Sequence, residues 1–355
     1  MSSNDLGDSL AQQVAAAAEA DTPLRIRGSG GKDFLGRAVH GEVLDLANHQ
    51  GIVNYEPTEL VMTARAGTPL AEIDKTLRDN GQMMPFEPPR YAGGDTLGGA
   101  IATGLSGPRR PWAGAARDLV LGVRLINGRG ENMRFGGEVM KNVAGYDVSR
   151  LATGSHGTLG VLLDVSMKVL PLPEAEASVA LDLPEDKAFK KVEDAYRAGV
   201  PISGAAHDGE RLRVRLSGTT LAVNAGINHL GGDRDADVTA FWHQLRDHGL
   251  PFFTEGDTAL WRLSLPPLSP VPNLPGDRLA DWGGQQHWLR SDAPPASVFE
   301  EAKRLGGHAT LFRGGDRSGD VFQPLPGEIR RLHERVKAAF DPKGILNPGR
   351  MYPDL

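Results

Sequence analysis

Apolar residues in the first 65 positions come in short runs broken by turns. PLRIRG, EVLDLA, GIVNY and ELVMTARAG each read as a strand. The period then changes, and Leu70, Ile73 and Leu77 fall on one helical face. The pattern predicts a helix with Thr68 as N-cap, Pro69 at its first position and Gly81 just past its end. After the Pro-rich PFEPPRYAGG, the stretch GDTLGGAIATGLSGP combines dense glycine with helical spacing at Leu97, Ala100, Ile101 and Leu105. LVLGVRLIN and ENMRFGG read as a hairpin about Gly128-Arg129-Gly130, and VLLDVSMKVLP as a further strand.

Near Pro171 to Ala175 the texture changes to an alternation of helix and strand. Strand ASVALDL leads to the amphipathic helix LPEDKAFKKVEDAYRAG, the hairpin HDGERLRVRLSG and the helix ADVTAFWHQLRDHG. ALWRLSLPP, HWLRS and HATLFRG read as strands, with the helix ASVFEEAKRLGG before the last. GEIRRLHERVKAAF is a final helix, followed by DPKGILNPGRMYP. No fixed-period repeat or low-complexity tract appears. The expected class is α+β, with domains over 1–174 and 175–315 and a C-terminal segment over 316–355.

Composition narrows the chemistry. A chain of 355 residues with 40% hydrophobic content can bury a sizeable core. Its net charge of −6 and lack of a basic run argue against nucleic acid or an anionic membrane as partner. No apolar run is long enough to span a bilayer, and the start reads as a surface helix, not a signal peptide. With no cysteine, there is no disulfide, no thiol nucleophile and no thiolate set for an iron–sulfur cluster; a reducing cytoplasm is the compartment this fits.

Three glycine-rich segments carry the candidate chemistry: RGSGGKDFLG (27–36), GGDTLGGAIATGLSGP (93–108) and NVAGYDVSRLATGSHGTLG (142–160). Read alone, each is a surface turn. Three beside strands suit a diphosphate, which wants several backbone N–H donors at a range a Cβ would block. Gly28 to Lys32 would form one wall, and Gly98-Gly99-Ala100, at a helix N-terminus, the other. A Walker A loop is excluded, since Ile26 stands where its first glycine belongs and Asp33 where Ser or Thr must follow the lysine. The G-x-G-x-x-G fingerprint is also missing from these segments.

In order and spacing, RGSGGKDFLG, DTLGGAIATGLSGPRRPWAGAARDLVLGV and KNVAGYDVSRLATGSHGTLGVLLDVSMKVLP resemble the FAD-binding domain of the vanillyl-alcohol-oxidase/PCMH type. FDPKGILNPGRM resembles that family's tail. DWGGQQHWLR and GGHATLFRGG make the whole chain similar to the FAD-binding subunits of bacterial glycolate oxidases. The resemblance implies a two-part FAD-binding domain, a smaller α+β cap domain and a tail returning to the flavin. It also implies roles. Gly28, Ser29, Gly30, Gly31, Lys32 and Asp33 would hold the pyrophosphate, and Asp95, Thr96, Gly98, Gly99, Thr103, Ser106 and Gly107 would surround pyrophosphate and ribose. Gly157, Thr158, Gly160 and Val161 would lie along adenine, and Asn347 would approach the isoalloxazine. Arg117 and Asp118 would order the second loop, and Lys141, Asn142, Gly145, Tyr146 and Asp147 belong to the third motif. Lys32 stands where covalent members often carry His, so FAD is expected to be non-covalent.

The implied activity is oxidation of a 2-hydroxy acid, glycolate to glyoxylate. Neither His-x-His nor Glu-His-Gly occurs here, so the metal-assisted site of many relatives is missing, and His243 and His248 are five apart, off a shared face. His308 is the candidate base, and Arg262 and Arg313, with Arg290, the candidate carboxylate ligands. The expected partners are a larger homologous flavin subunit and an iron–sulfur subunit, through which the chain would reach the membrane. A self-sufficient oxidase of another small hydroxy acid or alcohol, and a scaffolding subunit that retains FAD, remain as alternatives.

Overall fold

Leu70, Ile73 and Leu77 do form a helix face, all three at 1% exposure or less. The helix starts one residue later than its pattern implied. Pro69 occupies the N-cap position, because the Thr68 hydroxyl is engaged by Gly51, whose N–H it accepts at 2.9 Å. Gly81 follows the helix in the left-handed region (φ 66°), as a C′ residue should.

The chain is described by a computed structural model covering residues 5–91, 94–137, 147–235 and 237–355. It divides into two units. The first comprises 1–106, 115–172 and 325–355, and the second 107–114 and 173–324.

In the first unit, helix α1 (Gly7–Glu19) lays Leu10, Val14 and Ala17 into the core. Strands β1 (Leu24–Arg27) and β2 (Glu42–Asp45) pair in parallel. β3 (Ile52–Glu56) and β4 (Val61–Arg65) precede α2 (Leu70–Asp79) and α3 (Leu97–Thr103). β5 (Val120–Ile126), β6 (Asn132–Gly136) and β7 (Val161–Lys168) follow, and the antiparallel sheet runs β3-β4-β7-β5-β6. β5 and β6 are the expected hairpin, closed by the Gly130 N–H donating to the Asn127 carbonyl. α3 packs Leu97, Ala100 and Ile101 into this core at 0% exposure, and Gly104 ends it at φ 62°. The apolar spacing of the glycine-rich segment therefore is a buried helix.

The second unit is one antiparallel sheet. β8 (Ala175–Leu181), β9 (Ile202–His207), β10 (Leu212–Gly218), β11 (Leu260–Ser264), β12 (Asp277–Asp281), β13 (Gln286–Arg290) and β14 (His308–Arg313) are ordered β8-β10-β9-β12-β13-β11-β14, with Asp233–Arg234 at the β8 edge. Helices α4 (Glu185–Arg197), α5 (Thr220–Leu230), α6 (Val238–Asp247) and α7 (Pro295–Arg304) belong to it. Val179, Val214 and Leu216 pack with residues of α4 and α5, while Trp261, Leu263, Leu289 and Leu311 pack with Val298, Phe299 and Ala302 of α7. The last helix, α8 (Gly327–Phe340), and the tail belong to the first unit. Leu346 there forms a parallel bridge with Leu24.

Candidate functional site

The first unit contains an open cleft. Its lining includes Gly28 to Asp33, Asp95, Thr96, Gly98, Gly99, Thr103, Gly157, Gly160 and Asn347, so segments remote in sequence meet at one place. Its walls differ in what their backbones offer. In the first, the N–H groups of Gly28, Ser29, Gly30 and Gly31 find no acceptor among the described residues. A carboxamide or phosphate oxygen is what such donors need. Gly30 sits at φ 82°, and a Cβ on Gly31 would stand 2.4 Å from Asp95 Oδ1, so side chains are kept out here by geometry.

The second wall departs from expectation. The first N–H groups of α3 do not face a ligand as open donors. Leu97 N–H donates to the Thr68 carbonyl, Gly98 N–H to the Ala66 carbonyl at 2.7 Å, and Gly99 N–H to Thr96 Oγ1. The helix start is sewn onto the β4–α2 connection. Its glycines serve two different ends. A Cβ on Gly98 would lie 2.6 Å from Ala66 Cβ, so Gly98 permits the helix to approach β4. A Cβ on Gly99 would meet only Thr96 Oγ1 at 3.4 Å and Lys32 Cδ at 4.0 Å, so that position is smooth toward the cleft.

Between the walls lies a buried ion pair. Lys32 Nζ is 2.6 Å from Asp95 Oδ1, with side chains 7% and 2% exposed, and Tyr91 N–H donates to the other Asp95 oxygen. The lysine charge is thus neutralised within the protein. The third segment enters as a tight turn in which Thr158 N–H donates to the Ser155 carbonyl and both His156 (φ 54°) and Gly157 (φ 73°) are left-handed. Asn347 fastens it, accepting Ile26 N–H at 2.8 Å and donating to the His156 carbonyl at 2.7 Å. Arg350, which the sequence reading passed over, also lines the cleft and donates to the Lys32 carbonyl. His156 lines the cleft as well.

Four expected residues stand elsewhere. Ser106 Oγ accepts the Ala116 N–H. Gly107 belongs to the second unit, its carbonyl accepting the Trp282 indole N–H at 2.9 Å. Thr158 lines a separate apolar groove with Leu332, Val336 and Tyr352, and Val161 is a fully buried β7 core residue. Asp118 accepts Ala115 N–H, and Asp147 caps residues 148–152. Lys141, Asn142, Gly145 and Tyr146 lie outside the described residues.

In the second unit, Arg262 sits across from Thr310 and Trp288 on the face opposite buried Trp261 and Leu263. The register shift between Leu260 and Trp261 pairs Leu260 with Arg313, which brings Arg313 to the Arg262 face. Arg290 does something else: its guanidinium donates to the carbonyls of Phe252, Phe253, Gly256 and Thr258, tying a loop with four of its five N–H groups. His308 starts β14 as a solvent-accessible residue, across from Ser264. Partial desolvation, with the Arg262 and Arg110 cations, holds its imidazole below the usual value, hence neutral at pH 7. His248 is buried, stacked on Phe253 at 4.0 Å. Burial, then Arg313, Arg262 and Arg290, pushes its imidazole well below the usual range. Among the described residues no group of His, Asp and Glu is arranged to hold a metal ion, and no helix is long and apolar enough to cross a membrane.

Comparison with known proteins shows the family of the chain. Residues 7–136 match the FAD binding domain family, and 327–351 match the C-terminal domain of FAD linked oxidases. The chain is 49% identical over 351 residues, 99% of each chain, to glycolate oxidase subunit GlcE of Escherichia coli (strain K12). The chain belongs to the GlcE family of FAD-linked oxidases. A more distant relative, glycolate oxidase subunit GlcD of Bacillus subtilis (strain 168), is 24% identical, with 97% of this chain and 87% of that one covered. In fold, the chain is similar to p-cresol methylhydroxylase with substrate bound, at a TM-score of 0.73 and 15% identity, over 98% of this chain and 87% of that one. FAD is thus the cofactor, and the residues present fit it. Unengaged amides of the first turn match a diphosphate, and the smooth Gly99 position leaves room for its approach.

Proposed function

We propose that this chain is the FAD-binding subunit of a glycolate oxidase assembly, converting glycolate to glyoxylate, and that it serves there as an electron-transfer or supporting flavin subunit. The 49% identity across 99% of both chains carries this reading. Bound FAD supplies a two-electron acceptor that can return electrons singly. Gly28 to Lys32 clasp its diphosphate, with Asp95, Thr96, Gly98, Gly99 and Thr103 beside it and Gly157, Gly160 and Asn347 completing the cleft. Attachment is non-covalent, since Lys32 stands in the tethering position and is engaged by Asp95. In the alternative reading, a self-sufficient oxidase, Arg262 and Arg313 hold the carboxylate of a 2-hydroxy acid and neutral His308 accepts its hydroxyl proton. The two units act as a FAD domain and a cap domain.

This chain has no cysteine, so any iron–sulfur cluster in the electron path belongs to a partner subunit. A larger homologous flavin subunit carries the main chemistry, and the assembly works in the cytoplasm, meeting the membrane through its partners.

The test is a flavin spectrum of the purified chain, with glycolate added anaerobically. Bleaching only when the partner subunits are present supports the assembly. Bleaching by the chain alone makes it a self-sufficient oxidase, and bound FAD that glycolate bleaches under neither condition leaves a scaffold.

A further inference from the structure

Lys337 lies outside the cleft, on α8, yet its ammonium makes three short bonds. Nζ donates to the Thr158 carbonyl at 2.8 Å, to Asp341 Oδ2 at 2.7 Å and to the Leu346 carbonyl at 2.9 Å. Three acceptors match the three N–H groups of an ammonium. The residue is 9% exposed, and Asp341, 1% exposed, also accepts the Ile345 and Leu346 N–H groups. Lys337 thus joins α8, the Ser155–Thr158 turn and the tail that carries Asn347.

That turn is the strained part of the cleft. Its two central residues are left-handed, and His156 has no glycine freedom. It is held from two sides, with the His156 carbonyl taken by Asn347 and the Thr158 carbonyl by Lys337. In a trans peptide, C=O and N–H point opposite ways. The Gly157 N–H therefore points away from Asn347, and it has no acceptor among the described residues. Gly157 lines the cleft.

We propose that Lys337 is a positioning residue for the flavin: by fixing the Thr158 and Leu346 carbonyls to the Asp341 carboxylate, it holds the His156–Gly157 turn in the shape that offers the Gly157 N–H to bound FAD. The inference rests on the FAD reading of the cleft. It asks more than that reading does, because no ligand contact of Lys337 is needed.

Lys337 also lines the separate apolar groove beside Ser155 and Thr158, so a small amine can reach the space left by truncating it. The experiment measures FAD affinity by flavin fluorescence on the full chain. Wild type is measured first, and failure of wild type to bind FAD overturns the functional reading itself. Lys337→Ala is then expected to bind FAD about tenfold more weakly, the effect of one lost charge-assisted bond. Propylammonium, which brings N–H donors, restores the affinity, and tetramethylammonium, which brings charge alone, does not. Affinity within twofold of wild type, or equal rescue by both cations, overturns the proposal. Should Lys337→Ala not fold, Lys337→Met/Asp341→Asn removes both charges while an amide oxygen still accepts the tail N–H groups. Native circular dichroism with about tenfold weaker FAD supports the proposal, and native circular dichroism with unchanged affinity overturns it.

Discussion

The turn at Gly28–Gly31 and the helix start at Gly98–Gly99 are alike in sequence and opposite in use. Both are glycine pairs in the cleft wall. In the first, backbone donors have no partner among the described residues; in the second, each has found one. Glycine in the turn allows a left-handed backbone that exposes amides, whereas glycine in the helix allows close packing on Ala66 and a smooth surface. A glycine-rich motif thus does not say which of its amides a ligand will meet. The tertiary partners decide that.

The contrast can be broken by substitution. The largest effect is expected at the ion pair between the walls. Lys32→Met strands the Asp95 carboxylate at 2% exposure, and should cost about 3–5 kcal/mol in urea unfolding; a loss below about 1 kcal/mol would mean that Asp95 is solvated. Next come the neighbouring glycines. Gly98→Ala forces a Cβ to 2.6 Å from Ala66 Cβ and should lower stability by about 1–3 kcal/mol. Gly99→Val should leave stability within about 1 kcal/mol while FAD affinity collapses. Equal stability losses at both sites would show that the two glycines do not divide the work. Arg262→Ala, on the second unit's sheet face, should leave FAD binding unchanged and weaken only the response to glycolate. The smallest effect is in salt. Because Asp95 neutralises Lys32, the FAD dissociation constant should rise less than about threefold between low and moderate ionic strength. A steep rise would point to an open cationic site.

Much of the fold was legible where one period dominates. Leu70, Ile73 and Leu77 could only be a helix face, and Gly128 to Gly130 between two alternating runs could only be a turn. α5 escaped notice because its buried stripe is Val223, Gly226 and Leu230, and the glycine, pressed against Leu216 and Val200, hides the apolar period. β12 escaped because Asp277, Arg278 and Asp281 read as loop, although Leu279 and Ala280 are buried in the sheet. In the site, the glycine-rich segments were visible as types at spacings, and Asn347 through the family resemblance. The engagement of α3 by Ala66 and Thr68, the loop-tying role of Arg290, and the bond from Lys337 to Thr158 were not, since each joins residues far apart in sequence. The Arg313 side of its strand was hidden too, because a register shift moves it.

Amide hydrogen exchange with and without FAD tests the central claim most directly. The donors of residues 28–31 should go from rapid exchange to strong protection when FAD binds, while Leu97, Gly98 and Gly99, already bonded, should change little. Protection that appears at 97–99 and leaves 28–31 exchanging freely would contradict the account.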